Sequence, residues 1–456
     1  MSKNSFATEA PVQRAFLVGI DMPGPDVRLS VEDSLTELAL LADTAGLEVV
    51  GRTSQRLTQF HPKTMIGKGK VDEIKLIIED LDADVVIFDE ELSPRHQREL
   101  EEIYGENIQV IDRTALILDI FAQHARTREG SIQVELAQYE YRLPRLTRTW
   151  THLARQAGGG GGRAGSTGGV GLRGPGETQL EVDRREIRRK IAYLKEQLER
   201  VREHRSRHRQ QRKKARLSTV ALVGYTNAGK STLLNALSQA DVLVEDKLFA
   251  TLDPTTRRVS LPGGKEVLFT DTVGFIQKLP TMLVAAFRAT LEEIKEADLL
   301  LHVVDITHPN ARAQAESVHD TLNELGIDDI PIITALNKVD RMEDRGELLP
   351  IVDEFETATI ISAKTGEGLK NLLTVIQAEL YENLAEVTLA VPYQDGRIVS
   401  LFHERGDVLE LENREDHVFI HGRIPKVLLG LFSPFLIDGA TQDDELTIGK
   451  DEEPDL

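Results

Sequence analysis

The 456-residue chain contains no cysteine. That excludes disulfides, thiolate nucleophiles and Cys-type zinc sites, and it suits a reducing compartment. It also has no apolar run of about 18 residues, the minimum for a spanning helix. Its opening, "MSKNSFATEAPVQRAF", lacks the charged, apolar and small-residue succession of a secretory signal. A soluble, cytoplasmic protein is expected. The 12 histidines show no metal-ligand spacing. Positive charge is scarce overall, with a formal net charge of −20, and taken alone this argues against a nucleic-acid partner.

The average conceals a local exception. Residues 181–216 hold 15 Lys or Arg against 6 Asp or Glu, a basic stretch able to face a polyanion. The C-terminal "DDELTIGKDEEPDL" is acidic, poor in apolar residues and expected to be disordered. A chain of this length suggests roughly three domains. The pattern divides it into a disordered start (1–13), an α/β domain (14–126), a helical segment (127–216), a nucleotide-binding domain (217–385), a small C-terminal domain (386–440) and the tail (441–456).

In the first domain short apolar runs ("RAFLVGI", "LEVVGR", "ADVVIFDE", "IQVID") alternate with helical patterns, as in a parallel sheet with packed helices. Gly67 and Gly69 of "MIGKGKVDEI" precede a helix, where backbone N–H groups can face a phosphate or simply make a turn. Then the period changes. Ile132, Leu136, Tyr139, Leu143, Leu146, Trp150 and Leu153 are spaced 4-3-4-3-4-3, and Ile187, Ile191, Leu194, Leu198 and Val201 are spaced 4-3-4-3, the seam of a coiled-coil hairpin. Pro144 predicts a kink or a helix start there. Between the helices, residues 157–178 contain 11 glycines among 22 positions, with Arg163 and Arg173 as their cations. Such a loop is too poor in side chains to order itself, and it suits RNA contact through backbone amides and these guanidinium groups, or else a passive tether.

"STVALVGYTNAGKSTLLNAL" places Gly224, Tyr225, Thr226, Asn227, Ala228, Gly229, Lys230 and Ser231 between a strand pattern and a helix pattern. This is a P-loop in its required context: backbone N–H groups cradle the β-phosphate, Lys230 offsets β/γ charge and Ser231 can ligate Mg²⁺. Downstream, "ALNKVD" supplies Asn337, Lys338, Val339 and Asp340, and "ISAKTG" supplies Ser362, Ala363 and Lys364. A carboxylate at 340 accepts the adjacent N1–H and N2–H₂ donors of guanine, a pair that adenine lacks. The stretch Phe249, Ala250, Thr251, Leu252, Asp253 lies where a switch closes over the γ-phosphate, with Thr251 as second Mg²⁺ ligand and Thr255 or Thr256 as the alternatives. In Asp271, Thr272, Val273, Gly274, Asp271 is expected to hold Mg²⁺ through water and the Gly274 amide to sense the γ-phosphate. Lys230, Thr251 and Gly274 are the candidate catalytic set.

The order GYTNAGKS, FATLDPT, DTVGF, NKVD, SAK, preceded by an α/β domain and "GGRAGSTGGVGLRGPGETQLE", resembles the HflX family of translation-factor-related GTPases over residues 14–440. The resemblance implies a multidomain α/β protein: a parallel α/β domain, an antiparallel helical hairpin, a doubly wound P-loop GTPase domain and a small α+β domain. It also implies a Mg²⁺-dependent GTPase that binds the large ribosomal subunit, with hairpin and glycine loop reaching its RNA, and that splits stalled or idle ribosomes under stress. Some members of that family take ATP at the N-terminal domain.

One departure from common GTPase practice matters for the chemistry. The position after Gly274, where many such enzymes orient the attacking water with glutamine, is Phe275. Positioning and charge stabilisation survive that change, but water orientation does not. Gln277 needs an unusual backbone path to serve instead, so slow intrinsic hydrolysis and stimulation from outside are expected.

Overall fold

The computed structural model describes residues 12–24, 29–146, 179–214, 217–238, 248–249, 254–278, 293–327, 329–342, 355, 357–382, 384–425 and 428–437. The glycine loop with Arg163 and Arg173, the run Ala250–Asp253, and Trp150 and Leu153 of the expected seam lie outside these residues.

The N-terminal domain alternates strand and helix: β1 (Arg14–Asp21), α1 (Val31–Thr44), β2 (Glu48–Arg56), α2 (Lys68–Asp80), β3 (Val85–Phe88), α3 (Pro94–Tyr104), β4 (Gln109–Asp112) and α4 (Arg113–His124). Its parallel sheet has the order β2-β1-β3-β4. The β1 run AFLVGI is buried almost throughout because helices cover both faces, so it reads as continuous rather than alternating. Ser30 and Ser93 cap α1 and α3 by accepting from the amides of Asp33 and His96, each cap worth about 1 kcal/mol. At the Gly67 turn the amide N–H already donates to the Gln55 Oε1, at 2.9 Å.

The first hairpin helix, α5 (Arg128–Arg142), stops at the residue before Leu143-Pro144 and passes into a 3-10 turn, Leu143–Arg145. The break expected at Pro144 falls there: Leu143 keeps a helical backbone, but proline has no N–H with which to continue the ladder, and Leu146 is extended. Ile132 and Leu136 pack with Leu194 and Leu198 of α6 (Gln179–Lys214), flanked by Tyr139 and Ile191. Glu135–Lys190 and Glu140–Lys195 ion pairs, both partly exposed, border that seam.

The next sheet has the order β10-β9-β8-β5-β7-β6. Its strands are β5 (Thr219–Gly224), β6 (Thr255–Ser260), β7 (Glu266–Asp271), β8 (Leu299–Asp305), β9 (Ile332–Asn337) and β10 (Ala358–Ile360). Helices α7 (Lys230–Ser238), α8 (Ala311–Glu324) and α9 (Leu369–Gln377) follow in the chain. Strand β5 pairs in parallel with β7 and β8, and β9 with β8 and β10, so the ends of β5, β7 and β9 deliver their loops to one edge, as in doubly wound folds.

By contacts the chain falls into two compact units, the smaller comprising 260–267 and 368–456. In that smaller unit the antiparallel sheet β11 (Leu384–Pro392), β13 (His417–Pro425), β12 (Asp407–Asn413) packs Val387, Leu389 and Ile420 with Phe402 of α10 (Gly396–Arg405) and Phe432. The Phe402 and Phe432 rings meet edge to face at 5.5 Å. Among the described residues no helix is long and apolar enough to cross a membrane.

One buried polar group escaped sequence reasoning. His302 on β8 is fully buried, neither ring nitrogen has a hydrogen-bond partner among the described residues, and its ring meets that of His319 edge to face at 5.1 Å. Burial, with His319 and Lys230 nearby, pushes its pKa down to about 3. Its folded-state pKa lies below the unfolded one, so the stability it contributes is present at neutral pH and is lost as acid protonates the unfolded chain first. Wild-type stability should fall by about 1.4 kcal/mol per pH unit from roughly pH 6.5 towards 4, and His302→Leu should flatten that slope in urea melts at stepped pH. Equal slopes in both proteins would contradict the assignment.

Candidate nucleotide site

The P-loop leaves β5 through Gly224, whose φ of +149° and close approach to β8 admit no side chain: a Cβ there would lie 2.3 Å from the Val303 carbonyl oxygen. Gly229 is equally constrained, with φ +99° and the Asn337 Nδ2 2.3 Å from any added Cβ. Asn227 also takes a left-handed conformation, φ +60°, which Asn tolerates. The Lys230 ammonium is buried and donates to the Gly224 and Tyr225 carbonyls at 3.0 and 2.8 Å. Burial brings its pKa down to about 8, partly offset by Asp271. Within this cradle a phosphate anion would meet a cation with little competing water.

The Ser231 hydroxyl donates to the Asp271 Oδ2 at 2.6 Å, so a hydroxyl and a carboxylate, the hard oxygen donors that Mg²⁺ takes, stand side by side at the ends of P-loop and β7. Thr272 is buried with its hydroxyl donating to the Leu222 carbonyl at 2.6 Å. Gly274 packs so tightly on the P-loop that a Cβ would lie 2.8 Å from the Thr226 Cα and 3.0 Å from the Lys230 Nζ.

Across the loop edge, Asn337 straps two segments together. Its Nδ2 donates to the Ala228 carbonyl and its Oδ1 accepts the Ala363 amide, both at 2.9 Å, which leaves one carboxamide N–H for a ligand. Lys338, at φ +70°, pairs with Asp305 at 2.7 Å. Val339 is buried below. Asp340 is exposed and accepts from the buried Ser362 hydroxyl at 2.6 Å. That hydrogen bond holds the Asp340 carboxyl below its ordinary value, keeping it an acceptor. Lys364, following Ala363, is exposed.

Phe275 does not face this cradle. Its side chain is 3 % exposed, within an apolar cluster that includes Tyr225, Leu248, Phe249 and Ile276. Its backbone is fixed along the P-loop, N–H to the Gly224 carbonyl at 3.1 Å and C=O from the Thr226 amide at 2.8 Å. Gln277 is fixed as firmly: its N–H donates to the Tyr225 phenol oxygen at 2.8 Å and its carbonyl accepts from Arg113 at 3.3 Å. Gln277 also lines a pocket with Leu29, Tyr225, Gln314, Ser317 and Asp320.

These last contacts lead into the N-terminal domain, and nothing in the sequence signalled them. The Tyr225 hydroxyl donates to Glu37 at 2.6 Å. Lys278, at φ +55°, reaches Asp89 at 2.5 Å and Glu90 at 2.6 Å. Arg113, 2 % exposed, joins Asp89, Glu37 and Ser34. Burial alone would raise Asp89, but Arg113 and Lys278 beside it hold its carboxyl at about 2.

Comparison with known proteins agrees with this geometry. Residues 32–122, 124–212 and 219–338 match three families, described as GTP-binding GTPase N-terminal, GTP-binding GTPase Middle Region and 50S ribosome-binding GTPase. GTPase HflX of Caldanaerobacter subterraneus is 47 % identical over 90 % of this chain and 91 % of its own length. The chain belongs to the HflX family of GTPases. Other HflX relatives are as extensive: that of Magnetococcus marinus is 48 % identical over 87 % of this chain and 89 % of its own, and that of Escherichia coli 45 % over 82 % and 85 %. As an HflX GTPase the chain hydrolyses GTP, and the P-loop just described is part of its GTP-binding GTPase domain.

Proposed function

We propose that this HflX protein docks on the large ribosomal subunit in the cytoplasm when loaded with GTP and Mg²⁺, separates stalled or idle ribosomes under stress, and leaves after hydrolysis. In this reading Gly224, Tyr225, Thr226, Asn227, Ala228 and Gly229 cradle the phosphates and Lys230 offsets the β/γ charge. Ser231 and Asp271, the latter through water, hold the ion, and Thr251 joins them from the switch. Mg²⁺ supplies charge neutralisation between the β- and γ-phosphates. Asp340, kept ionised by Ser362, selects guanine, while Asn337, Lys338 and Ala363 shape the base pocket. The Gly274 amide senses the γ-phosphate. The basic helix α6, with Arg163 and Arg173 in the glycine loop, faces ribosomal RNA.

The observation that carries the reading is the placement of Phe275 and Gln277. Both follow the sensing glycine: the Phe275 ring is buried in the apolar cluster and can neither donate nor accept, and Gln277 lines the pocket with Leu29, Gln314 and Ser317, so neither is supplied to orient an attacking water. What the free protein lacks, the ribosome supplies, by ordering the switches or by contributing a group. GTP turnover should therefore rise by roughly a hundredfold or more on addition of large subunits, the scale on which a supplied stabilising group acts. Equal turnover with and without subunits rejects external triggering. Splitting supported for one full round by a non-hydrolysable analogue assigns the mechanical work to binding and the resetting to hydrolysis.

A further inference from the structure

Strands β6 and β7 are neighbours in the sheet and are joined by a tight turn over 261–265. Pro262 presets the backbone of that turn. The Leu261 amide donates to the Lys265 carbonyl at 2.8 Å, and the Gly264 amide, at φ +78°, donates to the Leu261 carbonyl at 2.9 Å. The turn is thus closed by its own backbone, yet it is also held from elsewhere. The Gly263 N–H donates to the Gln377 Oε1 at 2.7 Å, and the Lys265 ammonium lies over the Tyr381 ring, 3.7 Å from its centroid. Gln377 ends α9, and Tyr381 belongs to the π-helical turn Ala378–Glu382 that runs on towards β11. Such turns are rare and often sit at functional positions. By contacts, residues 260–267 fall in the same unit as the small C-terminal sheet.

The strands decide what this hold can reach. β6 is the edge of its sheet, with β7 as its neighbour, and Val259 is the residue it buries, so little packing of its own keeps it from fraying. β7 ends at Asp271, just short of Gly274.

We infer that Gln377 is a positioning residue: by anchoring the Gly263 amide, with Tyr381 beside it under Lys265, it lets the C-terminal unit stiffen the hairpin that leads into the γ-phosphate-sensing segment. The inference rests on the reading of Gly274 given above. A γ-phosphate on the Gly274 amide fixes one end of β7 and the anchored turn fixes the other. Each constraint leaves less conformational entropy for the other to remove, so the two favour one another. GDP leaves the Gly274 end unfixed, and the anchor then opens more often. Such coupling is reciprocal, so the anchor biases the nucleotide as much as the nucleotide biases the anchor.

The test uses the full chain with Mg²⁺ throughout and compares GDP with a non-hydrolysable GTP analogue. Hydrogen exchange over 260–267 reads the anchor directly, because the Gly263 N–H is the bonded group; it should be about three- to tenfold slower with the analogue, the range one hydrogen bond is worth. Gln377→Ala should erase that contrast and raise the analogue Kd by a similar factor, with GDP affinity at the wild-type value, which also reports an intact fold. Gly263→Ala attacks the anchor from the other side: its methyl would lie 2.7 Å from the Gln377 Oε1, the far end of a flexible side chain. It should match Gln377→Ala and add little to it. Gln377→Glu keeps an acceptor at the same reach and should restore both readouts.

Equal exchange under the two nucleotides in the wild type overturns the inference. So does an analogue Kd unmoved by Gln377→Ala and Gly263→Ala, or an equal weakening of GDP and analogue. Gly274→Ala separates the anchor from the reading beneath it. If that variant keeps the wild-type preference for the analogue and the exchange contrast, the reading of Gly274 fails and the route through β7 fails with it. If Gly274→Ala loses both while Gln377→Ala keeps both, only the anchor fails.

Discussion

Asp340→Asn is expected to lower affinity for GTP by roughly a hundredfold or more, since one hydrogen bond to a charged acceptor is lost, the other is left to a neutral oxygen, and a donor is turned against guanine N2–H₂. The same substitution should raise affinity for xanthosine triphosphate, whose C2 oxygen accepts what an asparagine amide donates while N1–H still meets the amide oxygen. The geometry makes the contrast sharp. Ser362, wholly buried, donates to one carboxylate oxygen at 2.6 Å, and this fixes the carboxylate beside the Asn337 strap without consuming its second oxygen. Competition binding with GTP, ATP and xanthosine triphosphate reads the outcome. Undiminished GTP affinity in the variant would remove Asp340 from base selection.

Gly274→Ala is expected to leave GDP affinity near wild type and to lower the hydrolysis rate by about a hundredfold, the usual cost of losing one preorganised donor to a developing charge. The methyl has nowhere to go. It would lie 2.8 Å from the Thr226 Cα and 3.0 Å from the Lys230 Nζ, and the backbone on the C-terminal side is pinned by the Phe275 pairing to the P-loop. Relieving the backbone clash with Thr226 requires the Gly274 segment to draw back from the P-loop. GDP calls on neither the amide nor the γ-phosphate position, so single-turnover hydrolysis and GDP titration separate the two effects. Parallel loss of both would mean that the substitution damages the P-loop itself.

Local chemistry made part of this molecule readable. A P-loop needs glycine where β5 meets β8, and the steric demands at Gly224 and Gly229 are short-range facts that a motif carries with it. The alternation of strand and helix patterns gave the N-terminal parallel sheet for the same reason: each element must bury one face on the next. The seam of the hairpin was legible in period, and Pro144 marked the break where α5 passes into a 3-10 turn, because a residue without an N–H cannot continue the helix ladder.

The remainder lies in contacts between residues far apart in the chain. Tyr225 meets Glu37 across 188 positions and Arg113 meets Gln277 across 164, and no window on the sequence holds both partners. The same applies to Phe249, which reads as one more switch residue until its ring is seen on Phe121. His302 looks like an ordinary residue of an apolar strand, and only its fully buried, unpartnered nitrogens set it apart. The destination of Phe275 could be reasoned from what a phenyl ring cannot do, whereas its pairing along the P-loop needed coordinates.

The most direct test of the central claim is sedimentation of the protein with ribosomes under a non-hydrolysable GTP analogue, GDP and no nucleotide, scoring both co-migration with large subunits and the yield of free subunits. The account predicts tight co-migration and separated subunits with the analogue, and little of either with GDP or without nucleotide. Equal capture of the protein in all three conditions, with intact ribosomes throughout, would contradict it.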